Sequence, residues 1–372
     1  MILKNAEIYN ESFERVYADI EVENGIIKAI LAPSSAEGED YSGCVILPGF
    51  VDIHTHGCCG RDMTDGNEDS VLVMSEKTAD NGVTSFCPTS MTLGMKELTE
   101  AFTFTKKAMG KETGARILGI NMEGPFISKA KKGAQAEENI LAPDAAVYHK
   151  LADICKVCLC DIAPECEGAD EFIREISRET TVSAAHTTAD YETGMKAFSL
   201  GINHVTHLYN AMTPIASRAP GLVGAVMDSP EVFAEIICDG IHIHPAVLRM
   251  TFGALGEDRT CVISDSMMAA GMPDGEYSLG GQKVFVNAGK ATLADGTVAG
   301  STTNIFSEFK NLLSFGISEK QAVKSCTINP ARSIGEDKEI GSIAPGKRAD
   351  FVILSSDLQS IKAVYIGGEK KR

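Results

Sequence analysis

Two histidines one residue apart, His54 and His56, close the apolar run of GFVDIHTHGCCG at 49–60. Residues two apart in a strand face the same way, so both rings can aim at one point, as a chelating pair does. Taken alone, such a pair is more often simple alternation in a buried strand than a metal site. Four more metal-competent side chains follow: Glu123 in MEGPF, His186 in AAHTT, His207 in THLYN and Asp265 in ISDSM. Singly, these also have ordinary explanations as a turn cap, satisfied core histidines and a helix N-cap. Jointly, the imidazole and carboxylate donors make a divalent-metal centre, for which zinc, iron(II), manganese and cobalt are all chemically suited. Such a centre lowers the pKa of water enough to supply a nucleophile near neutrality, and it can polarise an amide carbonyl.

Positioning these groups requires a repeated scaffold. Short apolar runs alternate with stretches of helical period, the pattern of β-α units around a parallel sheet. The strand candidates are CVILPGFVDIH, GVTSFCPT, RILGINME, KVCLCDIAP, TVSAAHT, HVTHLY, EIICDG and CVISDS, with helices such as DSVLVMSEKTADNG and TGMKAFSLG between them. The fold class expected is α/β, a (β/α)8 TIM-like barrel, whose reactive groups gather at the C-terminal strand ends. Glu123 ends the third strand, His186 the fifth and Asp265 the eighth, while His207 lies in the sixth. The two ends of the chain read differently. LKNAEIYN, YADIEVENG and IIKAIL at the start, and GSIAPGKRADFVILSSDLQSIKAVYIGG at the finish, are short β runs broken by turn residues. They predict one small β-sandwich domain formed by both termini, from 1–48 and 339–372, around a catalytic barrel at 49–338.

Composition narrows the partners. Across 372 residues, 34 Lys and Arg face 51 Asp and Glu, a formal net charge of −17 that repels nucleic acid and anionic membrane surfaces. A small anionic ligand must therefore be held by local cations or backbone amides. The N-terminal MILKNAEIYNES lacks the apolar core of a signal peptide, and no run of eighteen apolar residues occurs. The 11 cysteines are scattered through apolar segments of a large chain, which favours reduced thiols and a cytoplasmic location.

The stretches LPGFVDIHTHG, MEGPFISKAKKGAQ, AAHTTA, THLYNAM, RAPGLVGA, CDGIHIHP, ISDSMMAAG, VAGSTT and NPARSIG, with GSIAPGKRADFVIL, span nearly the whole chain. In them the sequence resembles the amidohydrolase superfamily and, within it, the N-acetylglucosamine-6-phosphate deacetylase family. The first and last stretches are shared widely across the superfamily, whereas THLYNAM, DGIHIHP and the run from MEGPF to GAQ are specific to the deacetylases. The resemblance implies that His54, His56, Glu123 and Asp265 surround one metal and that Glu123, His186 and His207 hold a second, with Glu123 bridging. Some members lack the first pair and use the second site alone. Asp265 is implied as the general acid and base that takes the water's proton and delivers it to the departing amine. For the substrate's phosphate it implies His242, the backbone amides of Asn210 and Ala211, and Arg218 reaching across from a second subunit of a homodimer. Read alone, Arg218 is a surface arginine in a Pro-Gly loop.

Departures from the family pattern also carry expectations. Gln135 stands where some members place a histidine beside the substrate carbonyl; its amide can donate a hydrogen bond but carries no charge. PIAS precedes Arg218 where some relatives have histidines, and SDSM replaces a common Thr-Asp-Ala with Asp265 still in register. His244 reads as structural. The thiols of CKVCLC at 155–160 suggest a rival zinc or iron–sulfur site, but Cys158 and Cys160 fall in an apolar strand and no second Cys pair completes it. A cyclic-amide hydrolase would need a bridging lysine at the end of strand four, which ends DIAP with Lys156 at its other end. A non-catalytic scaffold should have lost its ligands. N-acetylgalactosamine 6-phosphate remains open as substrate.

Overall fold

The computed structural model describes residues 1–34 and 37–372. Parallel strands occur where apolar runs are flanked by turns. Phe50–Thr55, Val83–Pro88 and Arg116–Ile117 form a three-stranded sheet; Ile120–Met122, Val157–Ile162, Thr181–Ala184, His204–Val205, Phe233–Ile236 and Thr260–Val262 form a six-stranded one. Strands such as FVDIHT and VCLCDI are buried along their whole length, as expected where helices cover a parallel sheet. Isolated parallel bridges link the two sheets: Thr89, just past the middle strand Val83–Pro88, pairs with Asn121, and Thr55, in the edge strand Phe50–Thr55, pairs with Ser266, just past Thr260–Val262. The third predicted strand is broken at Gly119. Its φ is 149°, and a Cβ there would lie 2.7 Å from Cys158 Sγ and 2.8 Å from the Lys156 carbonyl oxygen, so only glycine fits.

Helices lie between the strands, and several start on side-chain caps. Asn67 accepts from the Ser70 amide at the head of Glu68–Ala79, and Asp190 from that of Thr193 at the head of Tyr191–Leu200. Their buried faces, including Val71, Met74 and Ala197, join Phe50, Phe86 and Phe309 in a large apolar core.

Both ends of the chain build one eight-stranded sheet. Phe351–Ser355 pairs antiparallel with Cys44–Pro48, which runs parallel to Ile2–Tyr9. Leu3, Ile8, Ile20, Phe351 and Tyr365 form its separate core. The run predicted as a single strand from Cys44 to His54 thus divides: its first half belongs to this sheet and its second to the parallel strands. The turn is at Gly49, where a Cβ would meet Thr84 Oγ1 at 2.1 Å. A three-stranded antiparallel sheet, Gly275–Leu279, Gln282–Asn287 and Lys290–Thr292, was not anticipated. It packs on Met91, Ala134 and Met267.

Candidate metal centre

The predicted ligands lie at or just beyond the C-terminal ends of the parallel strands. Sequence reading put His207 inside its strand, but that strand ends at Val205, and those before His186 and Asp265 end at Ala184 and Val262. These three residues have φ of 43° (His186), 30° (His207) and 45° (Asp265), a region costly for any residue but glycine. Strain of this kind persists where surrounding contacts enforce it, and it clusters at functional sites.

The six side chains converge. His186 Nε2 and His207 Nε2 lie 3.0 and 3.2 Å from Glu123 Oε1, and His56 Nε2 is 3.3 Å from Glu123 Oε2. Asp265 Oδ1 stands 3.2 Å from His56 Nε2 and 3.5 Å from His54 Nε2. Two triads, His54 with His56 and Glu123, and Glu123 with His186 and His207, each hold their donor atoms within 4.8 Å of one another. Glu123 is common to both: Oε1 faces His186, His207 and His54, and Oε2 faces His56.

The donor set fits a divalent cation. His186 Nδ1 donates to the Lys131 carbonyl at 2.8 Å, and His56 Nδ1 to the Thr89 carbonyl at 3.2 Å. In the neutral rings, Nε2 then carries a lone pair and faces carboxylate oxygens, acceptor against acceptor. His54 Nε2 is buried with no hydrogen-bond partner among the described residues. Burial disfavours charge on the His54 ring, yet the negative charges of Glu235, Asp265 and Glu123 outweigh it and raise its pKa well above the ordinary value. Burial would likewise raise the Glu123 carboxyl, but the His186, His207 and His56 rings set against it hold it well below the usual range. Both shifts describe a centre that calls for positive charge.

Around the centre lies a cavity of about 200 Å³, lined by His56, Glu123, His186, His207 and Asp265 and also by Gln135, Asn210, Ala211, His242 and Leu279. Gln135 donates from Nε2 to Glu123 Oε2 at 2.6 Å, while its oxygen accepts from the Thr92 amide at 2.7 Å. His242 Nδ1 is 2.7 Å from Asp239 Oδ2. The backbone amide of Asn210 donates to the His207 carbonyl at 2.9 Å, which engages one of the two expected backbone donors. Arg218 is exposed in the Ala216–Ala219 turn and does not line the cavity. His244 caps the helix Pro245–Leu255, and Cys158 and Cys160 are buried in their strand.

Sequence reading missed the groups behind the ligands. Glu235 and His204 are fully buried and contact each other. Asp52 accepts from Ser264 Oγ at 2.6 Å, and Asp161 from Thr206 Oγ1 at 2.7 Å. The available signal was a carboxylate inside an otherwise apolar strand, since a buried charge is seldom left without a partner. Lys131 was also missed: besides holding His186, it donates from Nζ to the Met212 carbonyl at 3.0 Å, joining the glycine-rich run to THLYNAM.

Residues 45–371 match the Amidohydrolase family. The chain is 35% identical to the N-acetylglucosamine-6-phosphate deacetylase of Bacillus subtilis, covering 90% of this chain and 87% of that protein. It is 32% identical to the N-acetylgalactosamine-6-phosphate deacetylase of Escherichia coli O157:H7, covering 94% and 93%. Among solved structures, a mutant N-acetyl-D-glucosamine-6-phosphate deacetylase from Mycobacterium smegmatis, in complex with N-acetyl-D-glucosamine-6-phosphate, superposes with a TM-score of 0.94 at 29% identity, covering 100% of this chain and 99% of that one. With likeness running through sequence and fold alike, the chain belongs to the amidohydrolase family.

Proposed function

We propose that this chain hydrolyses the N-acetyl group of N-acetylglucosamine 6-phosphate, releasing acetate and glucosamine 6-phosphate in amino-sugar catabolism. The observation that carries the reading is the single cavity joining the candidate ligands to Asn210, Ala211 and His242. The Bacillus subtilis relative supports this substrate by its name, and the Escherichia coli relative supports N-acetylgalactosamine 6-phosphate as the alternative.

One or two divalent ions, zinc, iron or manganese, are the cofactor of this reading. His54, His56, Glu123 and Asp265 would hold one; Glu123, His186 and His207 would hold the other. Such an ion supplies Lewis acidity that makes water more acidic and polarises the amide carbonyl. Asp265 faces the cavity with Oδ1 3.2 Å from His56 Nε2, placed to take the proton of the attacking water and return it to the departing amine. Gln135 presents N–H to the same space, because the Thr92 amide occupies its oxygen. His242 lies at the cavity wall as the phosphate's partner, with Ala211, Asn210 and a neighbouring subunit's Arg218 completing the clamp in a homodimer.

For the scaffold, the reading is a closed (β/α)8 barrel at 49–338 with a β-sandwich from 1–48 and 339–372. The bridges from Thr89 to Asn121 and from Thr55 to Ser266 support closure. No helix among the described residues is long and apolar enough to cross a membrane. The unpaired thiols support a cytoplasmic location.

The test is metal analysis of the purified protein alongside acetate release from both phosphosugars and from unphosphorylated N-acetylglucosamine. Metal-dependent release from N-acetylglucosamine 6-phosphate, with little from the unphosphorylated sugar, is expected. A preference for the galacto isomer selects the alternative, and equal rates with and without phosphate overturn the reading.

A further inference from the structure

Glu235 lies in the middle of a buried strand, 0% exposed, with every oxygen facing a donor. Oε2 stands 3.0 Å from His54 Nδ1 and 3.3 Å from the His207 amide nitrogen, and Oε1 stands 3.2 Å from His204 Nε2. The backbone holds this carboxylate in place: the Glu235 carbonyl accepts from the Leu208 amide at 2.9 Å, and Glu235 pairs in register with Cys261 of the next strand. A buried ion pair stabilises a fold poorly beside apolar residues of the same volume. Its presence here calls for a role that apolar packing cannot fill.

The ring it touches suggests that role. A carboxylate only accepts, so in the neutral His54 ring, the form that binds a metal, the proton sits on Nδ1 and the lone pair on Nε2. That atom points to Glu123 Oε1 at 3.7 Å and Asp265 Oδ1 at 3.5 Å. His56 and His186 are oriented the same way by neutral backbone carbonyls, those of Thr89 and Lys131. His54 alone among the candidate ligands is backed by a carboxylate, and that makes its ring the stronger electron donor. Histidine ligands backed by a carboxylate in this manner lose about 10- to 100-fold in metal affinity when the partner is removed.

We infer that Glu235 is a positioning residue of the metal centre. It locks the His54 ring with Nε2 turned inward and sets the metal affinity of the site built on His54 and His56 far more than that of the site built on His186 and His207, which it reaches only through the His207 backbone amide at 3.3 Å. The inference rests on the two-site reading above.

Two backgrounds isolate the sites. In His207→Ala, with the His54 site remaining, Glu235→Gln should weaken zinc binding by calorimetric titration about tenfold, and Glu235→Leu more, within the 10- to 100-fold range. In His54→Ala, with the other site remaining, the same substitutions should change zinc affinity by only about two- to threefold, because the sole remaining link is the long 3.3 Å contact from the His207 backbone amide to Glu235 Oε2. Equal losses in both backgrounds, or none in the first, overturn the inference. If the Glu235 variants do not fold, the parent protein decides: in the zinc-loaded form, nitrogen-15 shifts of labelled histidine should show His54 bound through Nε2 with its proton on Nδ1. Zinc on Nδ1, or no zinc on His54, overturns it. None of these readouts uses the sugar, so failure of the acetate assay alone refutes the substrate and leaves Glu235 standing.

Discussion

Gln135 Nε2 lies 2.6 Å from Glu123 Oε2, and the amide cannot turn over because its oxygen accepts from the Thr92 amide at 2.7 Å. A residue unable to carry charge thus presents a fixed N–H to the cavity, at the carboxylate common to both ligand triads. Hydrogen bonds to charged groups contribute about 1.5 to 3 kcal/mol, so Gln135→Leu should lower kcat/KM on N-acetylglucosamine 6-phosphate by roughly ten- to a hundredfold. An unchanged kcat/KM would remove Gln135 from the chemistry.

His186→Ala and His207→Ala should each lose the ion shared with Glu123, read by elemental analysis under limiting metal. Chelation should abolish acetate release in the parent protein, and added metal should restore it. Variants that bind as much metal as the parent would show that Nε2 atoms only 3.2 Å apart are not a ligand pair.

Asp265→Asn changes little in shape but cannot take a proton. Turnover should fall by a factor on the order of 10² or more even when the variant is loaded with metal, with substrate affinity largely kept. Near-normal turnover in the metal-replete variant would assign the proton transfers elsewhere.

Burial works against charge on His242, yet the hydrogen bond and charge of Asp239 outweigh it and raise its pKa. The imidazolium, present below that raised pKa, is lost as pH climbs through it. KM for the phosphorylated sugar should therefore rise on the alkaline side. Asp239→Asn removes the charge that raises the pKa, so the rise should move to lower pH; a pH profile of KM that does not move would uncouple His242 from the phosphate.

Arg218→Ala should raise KM for the phosphorylated sugar by roughly ten- to a hundredfold and leave the unphosphorylated sugar unaffected. Mixed with Asp265→Asn, it should regain activity in hybrid dimers, each Asp265→Asn chain lending its arginine to a live site. With subunit exchange verified separately, lack of rescue would keep the arginine out of the neighbouring site.

Local pattern made much of the centre legible. The two-residue spacing of His54 and His56 survives in the strand Phe50–Thr55 and the residue after it, because a strand's side-chain alternation is a property of its own backbone. Glu123, His186, His207 and Asp265 could be placed near strand ends because each follows a short apolar run. The left-handed backbone of His186, His207 and Asp265 could not be read, since it is imposed by neighbours and leaves no mark of residue type.

Tertiary structure decided what depends on distant partners. Glu235 reads as a stray charge in EIICDG until the fold brings His54, 181 residues away in sequence, to its carboxylate. Gly49 and Gly119 look like ordinary turn residues until Thr84 and Cys158 occupy the space a side chain would need. The sheet from Gly275 to Thr292 has a readable β pattern, but its position over Met91 and Ala134 follows from packing. Residue type and spacing determined which groups could bind a metal, because donor chemistry and strand period are intrinsic to the chain. Which groups stand behind those ligands was decided only when chain closure set buried donors against buried acceptors, since each buried polar atom must find its partner wherever the fold supplies one.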